Sequence, residues 1–184
     1  MDGIPRWLVS HLADLDGVAF VAGIDGEDVL IVSASGRAHL RTLESGAIGY
    51  VPTTADVLQI GSMAVVHSPG EWLERTYNGS FPDAPVQLTQ IFRSSRTGDL
   101  VIAAGPGADL RQEWEIPEHR SGHGSLVAEH MRCLMALNRP VEGPMRTVDL
   151  FPLVLKHLGH DVPVGIDGVL DQGDTRVASS IGPS

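Results

Sequence analysis

From Val18 to Val51 short apolar, β-rich runs separated by polar, glycine-containing segments predict a β meander. Val18-Ala19-Phe20-Val21-Ala22 and Asp28-Val29-Leu30-Ile31-Val32 are β-rich runs, and the segment between them, Gly23-Ile24-Asp25-Gly26-Glu27, contains Asp-Gly, a hairpin signal. Two more strands are expected near 38–43 and 48–51, after Gly36 and Gly46, and these glycines read as turn chemistry rather than a phosphate loop. A short amphipathic helix precedes the meander at roughly 5–15.

The pattern changes after residue 66. Pro69, Gly70, Gly79, Pro82 and Pro85 punctuate two short helical segments, Glu71–Tyr77 and Ala84–Arg93, the second with Asp83 as N-cap and Pro85 in its first turn. Asp99–Ala104 (DLVIAA) and Cys133–Leu137 (CLMAL) read as strands buried on both faces of a sheet. A polar, glycine-containing loop, 105–125, lies between them, and Gly105-Pro106-Gly107 reads as the turn that opens it. The last helix is expected to be capped by Thr147, to carry Val148, Phe151, Leu155 and Leu158 on one stripe packed on the sheet, and to end at Gly159. From about Asp171 the chain turns polar and small.

Composition narrows the function classes. With 13 Lys+Arg against 23 Asp+Glu among 184 residues, the formal charge is −10, and the basic residues form no run, which argues against a nucleic-acid partner. No window reaches the ~18 consecutive apolar residues of a membrane span. The opening MDGIPRWLVSHLADL lacks the basic start and unbroken apolar stretch of a signal peptide, so a cytoplasmic location is expected. The single cysteine, Cys133, excludes an internal disulfide framework.

Candidate chemistry collects in the polar loop. His119, His123 and His130 fall within twelve positions, and neutral imidazoles in an acidic protein suit a divalent transition metal. Ser121-Gly122-His123-Gly124-Ser125 is the sharpest feature, because flanking glycines let a histidine project from a tight loop at the end of a strand. Glu113, Glu115 and Glu118 form an acidic patch beside it, expected to share a polar cavity with His123. His157 and His160 lie near a helix C-terminus, where dipole complementation accounts for them.

The blocks PDAPVQLTQIFRSSRTGDLVIAA, WEIPEHRSGHGSLVAEHM, ALNRP, RTVDLFPLVLKHLG and VGIDG, in that order, resemble the C-terminal part of bacterial members of the alkaline phosphatase superfamily. Within it they are similar to the type I phosphodiesterase/nucleotide pyrophosphatase-like hydrolases. VAFVAGIDGEDVLIVSASGRA more loosely resembles the small β insertion preceding those blocks. The resemblance implies an α/β fold: the C-terminal portion of an alkaline-phosphatase-like sheet with helices, plus an N-terminal antiparallel β meander. The expected division is a β subdomain over 1–66, the α/β portion over 67–170 and a flexible tail over 171–184.

In that superfamily two divalent metals, commonly zinc, flank a Ser or Thr nucleophile, and by resemblance His123 corresponds to the last histidine ligand of one metal. The nucleophile and an Asp-His pair lie earlier in those proteins, and this chain has no Asp-His dipeptide. The expectation is the back half of a metal-dependent hydrolase of phosphate esters, inactive alone, with no catalytic residue of its own. Two alternatives stay open: a non-catalytic binding or dimerisation module, and a mononuclear hydrolase using His119, His123 and His130. Association with a second copy is expected of the apolar strand edges.

Overall fold

The computed structural model describes residues 4–61, 63–110, 124–138, 141 and 143–166. They fall into two compact units, divided between Cys133 and Leu134. The protein mixes helices with one antiparallel sheet, and the expected N-terminal meander is present.

In the first unit, helix α1 (Arg6–Ala13) precedes strands β1 (Val18–Asp25), β2 (Asp28–Ser33), β3 (Gly36–Thr42) and β4 (Ile48–Pro52). A short strand β5 (Val65–His67) follows, then helices α2 (Pro69–Thr76) and α3 (Ala84–Ile91), strand β6 (Leu100–Ala104) and a helical turn α4 (Ala128–Met131). The sheet order is β5-β4-β3-β2-β1-β6, so its sixth strand comes from beyond residue 66. The predicted Asp-Gly hairpin forms with Gly26 at φ 64°, the positive φ that a two-residue loop between Asp25 and Asp28 requires.

Period-two alternation gives the sheet two apolar faces. Phe20, Ala22, Ile31, Ala38, Leu40, Ile48 and Tyr50 pack with Trp72, Phe81, Val86 and Leu88 of the α2–α3 segment. Val21 and Val32 face the other way, onto Val9 and Ala13 of α1. Trp72 is fully buried and its indole Nε1 donates to the Ile48 carbonyl at 2.9 Å, fixing α2 to β4. A capping box starts α2: the Glu71 amide donates to Ser68 Oγ at 3.3 Å and the Ser68 amide donates to Glu71 Oε2 at 2.8 Å. These bonds hold the Glu71 carboxyl below its usual range. Asp83 sits at the N-cap of α3 in the left-handed region (φ 58°) without capping the backbone, its carboxylate instead accepting from Gln87 Nε2 at 2.7 Å.

Between β4 and β5 the chain is organised by one carboxylate. Asp56 Oδ1 accepts from the Tyr50 hydroxyl at 2.9 Å and the Ile60 amide at 3.1 Å, and Oδ2 accepts from the Gly61 amide at 2.6 Å. The Tyr50 oxygen in turn accepts from the Leu58 amide at 3.2 Å. Burial pushes the Tyr50 hydroxyl well above the ordinary phenol range.

Four expectations are corrected. DLVIAA does form a strand, but an antiparallel edge strand rather than one buried on both faces: Ile102 is 39% exposed and only Ala103 is fully enclosed. Cys133–Leu137 forms no strand; no other strand pairs with it and Leu134 is 96% exposed, since an apolar run becomes a strand only where another strand meets its backbone groups. In the second unit, a 3₁₀ turn (Thr147–Asp149) leads into α5 (Leu150–His157), opened by the Arg146 amide donating to Asp149 Oδ2 at 2.8 Å rather than by a Thr147 cap. Gly159 closes α5 at φ 75°, as expected, with the His160 amide donating back to the Leu155 carbonyl at 2.9 Å. The stripe expected to pack is largely exposed, Phe151 at 55% and Leu158 at 62%, whereas Pro152 and Leu153 are buried. Apolar residues surround most of α5, so periodicity does not single out its buried face.

Among the described residues no helix is long and apolar enough to cross a membrane.

Candidate functional site

The carboxyl end of β6 is where the polar loop leaves the sheet. The pairing of β6 with β1 shifts register between Val18 and Phe20, and the Gly105 amide continues it by donating to the Gly17 carbonyl at 2.8 Å. Gly105-Pro106-Gly107-Ala108 then turns the chain away from the strand. The Ala108 amide donates to the Gly105 carbonyl at 3.1 Å, with proline second and Gly107 third at φ 74°, the arrangement of a type II turn. The expected turn after DLVIAA is therefore present.

The far end of the loop comes back to the same place. Ser125 Oγ donates to the Ala104 carbonyl, the last of β6, at 2.7 Å. Val127 is buried in the main core, and the Ala128 amide donates to the Ser80 carbonyl at 3.0 Å. Arg132 completes the attachment, donating from Nε to the Tyr77 carbonyl at 3.1 Å with its guanidinium 5.4 Å from the centre of the Tyr77 ring. Both ends of the segment carrying SGHGS are thus held at one end of one strand. Gly124, at φ 101°, takes a backbone conformation that suits glycine.

A cavity of about 400 Å³ opens at this position, lined by Ile102, Ala104, Asp109, Gly124, Ser125 and His130 among others. Of the three clustered histidines, His130 is on its wall. His119 and His123, the residue expected to ligate metal, lie outside the described residues, as do Glu113, Glu115 and Glu118. His157 and His160 are at the C-terminal end of α5 in the second unit. Asp109 was not apparent as a site residue from sequence; its one signal is its place just after the Pro-Gly turn that follows a strand.

Asp109 and His130 bring a carboxylate and an imidazole to one cavity, the donor types a divalent transition metal takes. Two protein groups do not fill the three or four protein positions such a site uses. Among the described residues no group of three or more His, Cys, Asp or Glu is placed to hold a metal ion. No protein-family profile, curated protein or solved structure matches the chain.

Proposed function

We propose that this chain supplies the C-terminal portion of a metal-dependent phosphodiester or phosphomonoester hydrolase. In this reading His123 gives one ligand to a divalent metal, zinc by resemblance, and the chain alone is catalytically silent. The observation that carries the reading is the tether of Ser125 to Ala104, which returns the end of the SGHGS block to the carboxyl end of β6. β6 is an antiparallel edge strand, and a loop anchored at both ends on such a scaffold is a common place for binding residues. Asp109 and His130 on the adjoining cavity are compatible with a metal-binding neighbourhood for His123.

When bound, such metals polarise the phosphoryl oxygens and stabilise attacking and leaving groups. This chain's part is to present His123 between two glycines, hold the loop by Ser125 and line the entrance with Asp109 and His130. The nucleophile and the Asp-His pair have no counterpart in the sequence, so the chemical step requires residues from elsewhere.

The purified chain should hydrolyse bis-p-nitrophenyl phosphate no faster than a metal-only blank, with zinc or any other divalent cation added. Zinc-dependent turnover that survives repurification and is abolished by His123→Ala would refute silence and favour the mononuclear reading. The alternative, a binding or dimerisation module, draws on the exposed Ile102 of edge strand β6. Sedimentation separates it: a dimer that Ile102→Lys converts to monomer favours the module, and a monomer at all concentrations counts against it.

A further inference from the structure

A second cavity, of about 430 Å³, lies on the α1 face of the sheet, away from the polar loop's cavity. Its polar wall comprises Arg6, Ser10, Asp25, Arg37, His39 and Thr53, and the half-buried Ile4 and Leu30 belong to its apolar wall. In a chain of net charge −10 this concentration of cationic groups is unexpected. Asp25 is the one carboxylate among the described residues of that wall. The Arg37 guanidinium is only part-exposed, and among the described residues the partner of its side chain is neutral: Nη2 donates to Ser10 Oγ at 3.2 Å. A part-buried guanidinium with a hydroxyl but no carboxylate has unused donors and an uncompensated charge.

The neighbouring imidazole points the same way. His39 stands on β3, opposite Leu30, and its Nδ1 is buried without a hydrogen-bond partner, 3.9 Å from Asp28 Oδ2. Arg41 already holds Asp28 with two bonds, Nε to Oδ1 at 2.6 Å and Nη2 to Oδ2 at 2.8 Å. A buried ring nitrogen with no partner is a polar group left to be satisfied by a bound molecule or water.

We propose that this cavity binds a small carboxylate-bearing molecule with a short apolar body. The carboxylate would sit on Arg37, whose planar fork matches it, with the Ser10 hydroxyl donating its own proton, and the body would lie on the half-buried Ile4 and Leu30. The volume is within the range of small-ligand pockets, and the mixture of an apolar wall with a few convergent donors is typical of them.

The test is a titration of the full chain with benzoate, followed by amide and histidine ring NMR shifts, with inorganic phosphate as the comparison. Saturable benzoate binding is expected, with shifts centred on α1, β2 and β3 that include the His39 ring, and weaker binding of phosphate, which lacks the apolar body. Arg37→Met should weaken benzoate at least tenfold and Arg37→Lys less. Ser10→Ala, which keeps the guanidinium, provides an independent arm and should also weaken it. Absence of saturation, phosphate binding tighter than benzoate, or unchanged affinity in either Arg37→Met or Ser10→Ala would overturn the proposal.

Discussion

Asp56→Ala is the substitution whose cost can be worked most directly from the structure. It removes the acceptor for three donors, the Tyr50 hydroxyl and the Ile60 and Gly61 amides, at 2.9, 3.1 and 2.6 Å. Gly61 is exposed and its amide recovers water, so it contributes little. The other two bonds run from part-buried donors to a carboxylate, and bonds of that kind contribute about 1.5–3 kcal/mol each net when buried, less where the site is part-exposed. Partial compensation leaves an expected loss of roughly 2–4 kcal/mol, or a fall of about 5–15 °C in the thermal midpoint for a chain of this length. Tyr50→Phe removes the same bond from the other side and orphans the Leu58 amide as well. Urea denaturation of the two single variants and the double variant closes a cycle in which the pair should couple by about 1 kcal/mol. A loss for Asp56→Ala within about 0.5 kcal/mol, the range of an ordinary surface change, would refute the argument. So would strict additivity. The alkaline limb supplies a further check, because the Tyr50 hydroxyl is raised in the folded protein by burial. A raised phenol contributes stability that is complete below the unfolded value near pH ~10 and is lost above it. Tyr50→Phe should flatten that limb.

Two more outcomes are expected. The Glu71 carboxyl is lowered by the bonds from Ser68, so its contribution to α2 is present above the unfolded value near pH ~4.3 and disappears as pH falls through the lower folded value; Glu71→Gln should remove this acid dependence from amide exchange in α2. In Gly36→Ala the new Cβ would lie 2.5 Å from Thr54 Oγ1, 2.7 Å from Ala55 Cβ and 2.9 Å from the Ala55 amide nitrogen, at a φ of +155° that disfavours side chains. A loss of about 1–3 kcal/mol or more in urea denaturation follows, and an unchanged midpoint would contradict it.

What could be read from sequence was what neighbouring residues decide together. The β-rich runs around Phe20-Val21-Ala22 and Val29-Leu30-Ile31-Val32 marked strands, while Gly26 and Pro69 marked where elements change; which residue faces which layer is set by packing. Strand β5 has three residues, too few for a period to register. DLVIAA and CLMAL are similarly apolar, yet only the first finds a strand to pair with, and pairing is a property of topology. On α5, apolar residues on nearly every side hid which of them would be enclosed. The glycine-flanked His123 was conspicuous in sequence, but the bond holding its loop joins Ser125 to Ala104, residues remote in the chain. Asp109 likewise gains its place on the cavity only through the Pro-Gly turn.

The order of strands also sets an order of assembly. Val21 has Val32 across from it on one side and Ile102 on the other, so β1 meets β2 through a two-residue turn but meets β6 only after most of the unit has been traversed. Local hairpins close quickly, whereas distant pairings bear the entropy of a long loop before any contact returns it. β6 should therefore join late in folding and open early in native-state hydrogen exchange. Everything hung from its carboxyl end, including the Ser125 tether and the cavity beside it, inherits that lateness: the candidate site comes into being only once the rest of the sheet is already in place.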